Sequence, residues 1–509
     1  MNVLSKSRYS QFCQCPKALW LKIYKPELAE IDDSLQARFE QGTEVGDLAM
    51  GLLGDFVDVT SYTESGSLDL IAMIYRTRSE MGKGTENICE ASFSFVKDGI
   101  QHYCSVDILH KEPQGWSIYE VKSSSYTCDK DDTPKHLLAY IRDIAYQKWV
   151  LEQTGINVCG TFLVRLDSNY LREGELDIHQ LFHIKDMGEL IEEEYLKVKI
   201  NIANVSDVIS EDEPAMPIGA HCKTPYDCSF MNYCIGDIPE PNVFDLYRMK
   251  FSKKCEYYHQ RRIAYEDLRF EKLSEVQQIQ VESYLCKKHY IKPKEIRSFL
   301  RNLSFPLYFL DFETMQSPIP QFDKSKPYQQ ISFQYSLHWI DEENGRLNHT
   351  EFLGNSVADP RRKLAEQLCK DIPTDVCVTA YNKSFECGRI NEMAEIFPDL
   401  REHLLGISNN IIDLIEPFRG KMVYLPAMNG SFSIKKVLPA LFPDSPELDY
   451  KNLSGSVHHG GEAMTLYPAI AKMSPDEAEE ARKSLLEYCK LDTLAMVRIW
   501  EKLREYANS

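Results

Sequence analysis

The sequence predicts an α/β protein in which a helical connector joins two successive α/β regions. Apolar runs of strand length alternate with segments of helical spacing in residues 1–238 and again in residues 304–509. Residues 239–303 are charged and aromatic at helical spacing and contain few turn residues. A chain of 509 residues is also too long for a single hydrophobic core, so more than one domain is expected.

The first region is expected to form a sheet and a long helix. Apolar residues at helical spacing predict a helix over Lys135–Gln153, and Gly155 is suited to its C-cap. The β-like runs of this region are Ile88–Phe95, Tyr103–Leu109, Trp116–Lys122 and Thr161–Leu166.

A break with two prolines, Gly236–Pro241, precedes the connector, whose helical pattern spans Phe244–Asn302. The second region starts at Phe305. Its first strand, Leu307–Phe312, is an almost continuous apolar run of the kind typical of buried central strands, and Val376–Ala380 predicts a second strand.

The last helix has the best-marked start in the chain. Ser474 is suited to the N-cap, Pro475 to the first helical position, and Glu477 completes a capping box. The helical pattern continues to about Tyr506.

The composition predicts a cytoplasmic globular protein. Hydrophobic residues make up 43% and charged residues 27% of the chain. No stretch approaches the ~20 apolar residues of a membrane span, and the first nine residues lack the apolar segment of a secretory signal. We therefore expect the cytoplasm and no membrane partner.

The net charge of −19 argues against unspecific binding of nucleic acid, because phosphates would be repelled. Sites for divalent metals nevertheless need clustered carboxylates, and a local basic groove can bind nucleic acid under a negative total charge. The 15 cysteines are expected to be reduced in the cytoplasm, so spaced clusters of them indicate metal or iron–sulfur ligands.

A first candidate site lies on the predicted strands around a turn at Pro113–Gly115. Glu120 and Lys122 are two residues apart and project from one face, and a hairpin would bring Asp107 beside them. Two carboxylates can bind Mg²⁺ or Mn²⁺, and the lysine can orient water and neutralise phosphate charge. An ordinary surface hairpin with an exposed Glu–Lys pair is the alternative.

Two further features favour the site. Glu90 lies on an upstream β-like run, and Asp143 and Gln147 share one face of the next predicted helix. With them, the arrangement resembles the RecB-like branch of the PD-(D/E)XK nucleases, which includes CRISPR-associated exonucleases with an iron–sulfur cluster. The resemblance implies metal binding by Glu90, Asp107 and Glu120, and catalytic roles for Asp107, Glu120, Lys122 and Gln147.

The chain departs from that branch on an early helix. Many members carry a histidine there in a Gly-x-x-x-His setting, whereas the segment Gly42–Gly46 has glycine in its place. The metal set of the first site is therefore expected to lack one ligand.

Four cysteines bracket the first region. Cys15 precedes the candidate motifs, and Cys222, Cys228 and Cys234 follow them at equal spacings. Four thiolates suit an iron–sulfur cluster or zinc. The layout resembles that of the RecB-like iron–sulfur nucleases, where the Cys-Pro start favours Cys15 over Cys13, and the resemblance implies a [4Fe–4S] cluster with zinc as the alternative.

The second candidate site is the strongest motif in the chain. Asp311 and Glu313 lie two residues apart at the end of an apolar strand, Glu386 follows a second strand, and Tyr488 and Asp492 share a face of the last helix. Paired like charges are costly unless a cation lies between them.

This set resembles the DnaQ-like DEDDy 3′–5′ exonucleases, which have an RNase H-like fold. The resemblance implies metal binding by Asp311, Glu313, Glu386 and Asp492, with Tyr488 positioning water. It also implies two-metal hydrolysis of phosphodiesters, with Mg²⁺ or Mn²⁺ ions about 3.5–4 Å apart. Glu386 stands where most members have aspartate, and Asp413 is a further, weaker candidate.

The sequence therefore predicts a metal-dependent nuclease with two sites. Its expected substrate is nucleic acid, with DNA favoured over RNA. Two alternatives remain open. In the first, only the DEDD site cuts and the iron–sulfur domain binds nucleic acid. In the second, the chain is a non-enzymatic scaffold whose acidic clusters are solvated faces.

Overall fold

The computed structural model describes residues 3–30, 33–127, 136–210 and 212–509, with the backbone alone over 33–39. The chain divides into two compact units. The first unit comprises Met1–Asp237 and Ser317–Tyr328, and the second comprises Ile238–Gln316 and Gln329–Ser509. The predicted connector, residues 239–303, thus packs with the second unit, while a segment of the second α/β region packs with the first.

The first unit contains a curled, mixed sheet of seven strands in the order β2-β3-β4-β5-β6-β7, with β1 on β4. Pairs β3–β4, β4–β5 and β6–β7 are antiparallel, and β5–β6, β2–β3 and β1–β4 are parallel. The strands are β1 Val3–Ser5, β2 Val57–Asp58, β3 Asn87–Lys97, β4 Ile100–Glu112, β5 Gly115–Tyr126, β6 Val158–Asp167 and β7 Phe182–Asp186.

Helices cover both faces of this sheet. One core lies between the sheet and helices that include α1, α5 and α7, and a second core lies on the side of α3. The helices are α1 Lys6–Gln14, α2 Pro16–Tyr24, α3 Asp33–Ala49, α4 Leu70–Lys83, α5 Leu137–Gln153, α6 Ile178–Leu181, α7 Gly188–Ser210 and α8 Met231–Ile235.

The second unit contains a mixed sheet of five strands in the order β11-β10-β9-β12-β13 and a two-stranded sheet, β14-β8. Strand β9 is central, antiparallel to β10 and parallel to β12. The strands are β8 Tyr290–Ile291, β9 Leu307–Gln316, β10 Gln330–Ile340, β11 Leu347–Leu353, β12 Cys377–Ala380, β13 Ile411–Asp413 and β14 Val423–Tyr424.

One core of the second unit joins the five-stranded sheet to α13, α14 and α15, while α19 packs against β9 and β10. The helices are α9 Phe251–His259, α10 Tyr265–Leu268, α11 Glu275–Cys286, α12 Pro293–Leu300, α13 Arg361–Asp371, α14 Ser384–Ile396, α15 Arg401–Asn409, α16 Glu416–Arg419, α17 Ile434–Leu441, α18 Gly460–Ala469 and α19 Pro475–Asn508.

The mixed α/β class predicted from the sequence is confirmed. The last helix starts where predicted: Ser474 is its N-cap, and the capping box with Glu477 is formed. Strand β9 begins at Leu307 as expected but continues to Gln316. The predicted helix of the first region begins at Leu137 among the described residues, and its predicted first residue, Lys135, lies outside them.

The connector is helical but interrupted, because helices α9 to α12 are separated by short loops and by β8. None of the helices among the described residues has both the length and the hydrophobicity that crossing a lipid bilayer requires.

Candidate functional site

Four carboxylates meet in the second unit. Asp311 and Glu313 lie on one face of β9, Glu386 lies in the first turn of α14, and Asp492 lies on α19. Glu313, Glu386 and Asp492 expose 8%, 2% and 7% of their surface. The structure therefore brings together the four acidic residues that the sequence motifs single out.

The charges of these groups act on one another. Burial, together with the charges of Asp492, Glu313 and Glu386, raises the pKa of Asp311 well above its usual range. Burial and the charge of Asp492 also raise the pKa of Glu313 well above its usual range. Burial raises the pKa of Glu386 to about 8 and that of Asp492 to about 6. Three buried carboxylates together with the partly buried Asp311 favour a bound cation, because their ionised forms repel one another.

One acceptor atom in this cluster is left without a partner. The buried Oε2 atom of Glu386 accepts no hydrogen bond from any described residue. Unpaired buried polar atoms are rare in native structures and often indicate an absent ion or water. The four side chains of this cluster fit a hard divalent cation such as Mg²⁺ or Mn²⁺, since each of them offers carboxylate oxygens as ligands.

A β-bulge lies opposite Glu313. The β9–β10 register pairs Ser332 with Thr314 and then Gln334 with Glu313, so Phe333 is the extra residue. Bulges change the direction of nearby side chains and are common beside functional sites. The ring of Phe333 is stacked on that of Tyr467, with centroids 3.9 Å apart.

Two residues at this site were not expected from the motifs. The Tyr450 hydroxyl donates a hydrogen bond of 2.6 Å to Asp492. The Lys435 ammonium lies 5.1 Å and 5.0 Å from the ring centroids of Tyr450 and Tyr488. Burial lowers the pKa of Lys435, although Asp492 and Glu313 counteract it. Neither residue belongs to a spaced acidic motif, so only the packing of α17 and a neighbouring turn reveals them.

A third unexpected residue is Cys489, next to Tyr488 on α19. Its sulfur lies 3.7 Å from Asp311 Oδ2. One ligand atom each from Asp311, Glu313 and Cys489 lie within 4.8 Å of one another. The only indication of this thiol in the sequence was its place next to Tyr488, which the motif had already singled out.

The Asp413 side chain binds backbone N–H groups beside the site. Its Oδ1 atom accepts hydrogen bonds from the backbone N–H groups of Asn382 and Ile415, at 2.8 Å and 3.2 Å. Asn382 has φ +75°, a backbone conformation that this carboxylate helps to hold. The charge of Asp413 also contributes to the raised pKa of Glu386.

The first candidate site forms in the first unit, as the hairpin pattern predicts. Glu120 is fully buried, with Lys122 Nζ 2.6 Å from its Oε1 atom and Gln147 Nε2 2.6 Å from its Oε2 atom. Lys122 also lies 2.8 Å from Asp143 Oδ2. Asp107 accepts a hydrogen bond of 2.6 Å from the backbone N–H of Val121.

Glu90 lies on β3 between residues that pair with β4 on either side of Asp107. Its φ of +56° is unusual for a residue with a side chain and indicates local strain of the type found at functional sites. Burial and the charge of Asp107 raise the pKa of Glu90 to about 7. Burial and Glu120 raise that of Asp107 to about 6.

The pKa of Glu120, in contrast, is lowered. Burial alone would raise its pKa, but the ammonium groups of Lys122 and Lys6 outweigh that effect and lower it to about 2. Lys6, which the sequence motifs did not indicate, lies at the start of α1 and 2.8 Å from Glu120 Oε1. Its sequence neighbours contain no metal-ligand pattern, so only the tertiary structure identifies it.

The four predicted cysteine ligands surround one pocket. Cys15, Cys222, Cys228 and Cys234 all line it, together with apolar residues such as Phe230. Burial raises the pKa of the Cys228 thiol to about 11, and the other three thiols contribute to that rise. Four adjacent thiols in an apolar setting fit a thiolate-bound cofactor. The four thiols as a donor set therefore suit either zinc or an iron–sulfur cluster.

Comparisons with known proteins give similarity without a described activity. A family described as "Domain of unknown function (DUF2779)" matches residues 308–433, which include Asp311, Glu313 and Glu386.

Three curated relatives are uncharacterised. The chain is 26% identical over 238 residues to the uncharacterized protein MG366 of Mycoplasma genitalium, covering 43% of this chain and 35% of the relative. It is 26% identical over 231 residues to the MG366 homolog of Mycoplasma pneumoniae, covering 42% and 34%. It is 30% identical over 224 residues to the uncharacterized protein UU173 of Ureaplasma parvum, covering 40% and 31%. The matches thus span about a third of each relative.

Proposed function

We propose that the chain is a metal-dependent nuclease whose principal site is the carboxylate cluster of the second unit. The observation that carries this proposal is the convergence of Asp311, Glu313, Glu386 and Asp492 in one largely buried cluster with raised pKa values. A solvated acidic surface would not raise these pKa values, so the scaffold alternative is disfavoured.

The fold of the second unit supports a DnaQ-like, RNase H-like assignment. In its sheet the central strand is β9. On one side β10 is antiparallel to β9 and β11 is antiparallel to β10, and on the other side β12 and β13 run parallel to β9. The acidic pair lies on that central strand, and the last helix brings Tyr488 and Asp492 to it.

The four carboxylates would hold Mg²⁺ or Mn²⁺, which supplies an acidified water and neutralises the charge on the leaving oxygen. The protein residues have separate tasks. Tyr450 donates a hydrogen bond to Asp492 and helps to fix its orientation, while Tyr488 lies one helical turn before Asp492 on the last helix. Lys435, half-buried beside both rings, provides a positive charge for a substrate phosphate.

For the first unit we propose a PD-(D/E)XK site with a [4Fe–4S] cluster. The convergence of Glu90, Asp107, Glu120, Lys122 and Gln147 supports the site. The four thiols around one pocket support a thiolate-bound cofactor, and the resemblance of the cysteine layout to that of the RecB-like iron–sulfur nucleases favours the cluster over zinc. The substrate class is nucleic acid, with DNA favoured over RNA.

The test is degradation of end-labelled single- and double-stranded DNA and RNA with Mn²⁺. Asp311→Asn and Glu120→Gln should each remove a separable activity, while Asp444→Asn, at an exposed aspartate of the second unit, should match the wild type. Wild-type activity in both site variants would refute the proposal.

The second candidate is a single-site enzyme in which only the second unit cuts. The contact between Lys6 and Glu120 favours it, because the ammonium already neutralises a carboxylate that a metal would need. In the same assay, this candidate predicts that Asp311→Asn removes all cleavage and Glu120→Gln removes none.

A further inference from the structure

The Lys6 ammonium lies between two carboxylates of the first-unit site. It donates hydrogen bonds to both oxygens of Glu120, at 2.8 Å and 3.0 Å, and lies 3.9 Å from Asp107 Oδ1. These are two of the three groups that a divalent metal would use there. Asp143 and Lys122 are the other charged groups that act on Lys6.

The acceptor sites of Glu120 are already occupied. A carboxylate offers about four lone-pair positions. Lys6 and Lys122 approach Oε1, and Lys6 and Gln147 approach Oε2, so four donor contacts fill them. Since Glu120 has no exposed surface, a metal ion could bind it only by displacing one of these donors.

The backbone on both sides of Lys6 is firmly placed. Strand β1 pairs with β4 immediately before it, with Ser5 opposite Tyr103. Helix α1 follows, and its Tyr9 is fully buried and stacked on Tyr146, with centroids 4.8 Å apart. One turn from Lys6, Ser10 donates a hydrogen bond of 2.5 Å to Asp143. Lys6 is thus built into the site and is not a mobile terminal side chain.

We infer that Lys6 is an internal counter-ion that occupies a cation position between Asp107 and Glu120 and competes with divalent metal for it. This inference rests on the proposed second nuclease site. Lys6 supplies one positive charge where Mg²⁺ or Mn²⁺ would supply two. Its ammonium binds without the loss of water from a metal ion, and Mg²⁺ loses its bound water reluctantly. The first unit should therefore bind Mn²⁺ weakly until Lys6 is displaced.

The carboxylates left for an ion are Glu90, whose side chain accepts a hydrogen bond from Ser105, and Asp107.

Mn²⁺ binding to the full-length protein tests the inference, with free Mn²⁺ measured by electron paramagnetic resonance. The variants are Lys6→Met, Lys6→Arg, Lys6→Met with Asp107→Asn, and Lys22→Met as a control at an exposed lysine of α2. Circular dichroism and thermal unfolding check that each variant folds, and thermal shifts on adding Mn²⁺ give a second measure of binding.

Lys6→Met should bind one more Mn²⁺ per chain, or bind it at least ten times more tightly, and Mn²⁺ should raise its unfolding temperature more than that of the wild type. Lys6→Arg and Lys22→Met should resemble the wild type. The gain should disappear when Asp107→Asn is added, which places the additional ion in the first unit.

Unchanged or weaker Mn²⁺ binding by folded Lys6→Met would overturn the inference, as would a gain that survives Asp107→Asn. These readouts do not depend on cleavage. A protein that gains Mn²⁺ in Lys6→Met but cuts no nucleic acid would contradict the proposed function and leave the counter-ion role intact.

Discussion

Tyr450 donates a hydrogen bond of 2.6 Å to Asp492, joining a short turn to the acidic site on the last helix. This bond favours the ionised carboxylate and opposes the effect of burial, which raises the pKa of Asp492 to about 6.

Tyr450→Phe should therefore weaken metal binding at the second-unit site. Without the hydrogen bond the pKa of Asp492 rises, so a larger fraction is protonated near neutral pH and Mn²⁺ affinity falls, approaching about tenfold for each unit of that rise only where the pH lies below the pKa. The measurement is Mn²⁺ affinity from pH 6 to 9, and the variant's curve should move to higher pH.

Tyr467→Phe is the matched control for this substitution. The Tyr467 hydroxyl is buried and has no hydrogen-bond partner among the described residues, so its removal should leave Mn²⁺ affinity unchanged. Equal curves for wild type and Tyr450→Phe would contradict the role given to this tyrosine.

Glu386→Gln should stabilise the metal-free protein at alkaline pH. Burial raises the pKa of Glu386 from 4.5 to about 8, so between these values the folded state binds more protons than the unfolded state. The free energy of unfolding then falls as pH rises through this window. Glutamine removes the charge, and the pKa rise corresponds to a gain at pH 8 of up to about 4 kcal/mol.

Thermal unfolding in the presence of a chelator, at pH 5 and pH 8, checks this prediction. The gain should be present at pH 8 and much smaller at pH 5, where wild-type Glu386 is largely protonated. Glu447→Gln, at an exposed position, should show no such difference. If Glu386→Gln were less stable than the wild type at pH 8, burial of the ionised Glu386 carboxylate would not destabilise the folded protein, and the prediction would be wrong.

Cys489 should make the second-unit site sensitive to thiophilic metals. Its sulfur lies 3.7 Å from Asp311 Oδ2, and soft thiolates prefer ions such as Cd²⁺ to Mg²⁺. Cys489→Ala should lower Cd²⁺ affinity by about tenfold or more and change Mn²⁺ affinity little, as measured by competition with Mn²⁺. Equal Cd²⁺ affinities in the two proteins would show that the sulfur is not a ligand.

Cys234→Ser should remove the proposed iron–sulfur cluster and destabilise the first unit. The cluster would tie α2, which begins just after Cys15, to the end of the unit, so its loss removes binding energy that is also folding energy. The measurements are iron and sulfide content, brown absorbance of anaerobically purified protein and unfolding temperature.

Cys159→Ser, at an exposed cysteine, is the control and should keep iron, colour and stability. Zinc in place of iron in the wild-type protein would contradict the proposed cluster.

Local patterns in the sequence were sufficient for several parts of this protein. The capping box at Ser474 and the apolar run from Leu307 specify a helix start and a buried strand through neighbouring residues alone. The two-residue spacing of Glu120 and Lys122, and of Asp311 and Glu313, places each pair on one face of a strand, because side chains alternate along β structure.

Only the tertiary structure decided which distant residues complete the two sites. Lys6 is 114 positions from Glu120, and Tyr450 is 42 positions from Asp492. Neither has a local pattern, because a long-range ion pair or hydrogen bond depends on how helices and strands pack and leaves no periodicity in the sequence. The same packing decided that residues 317–328 belong with the first unit and the predicted connector with the second.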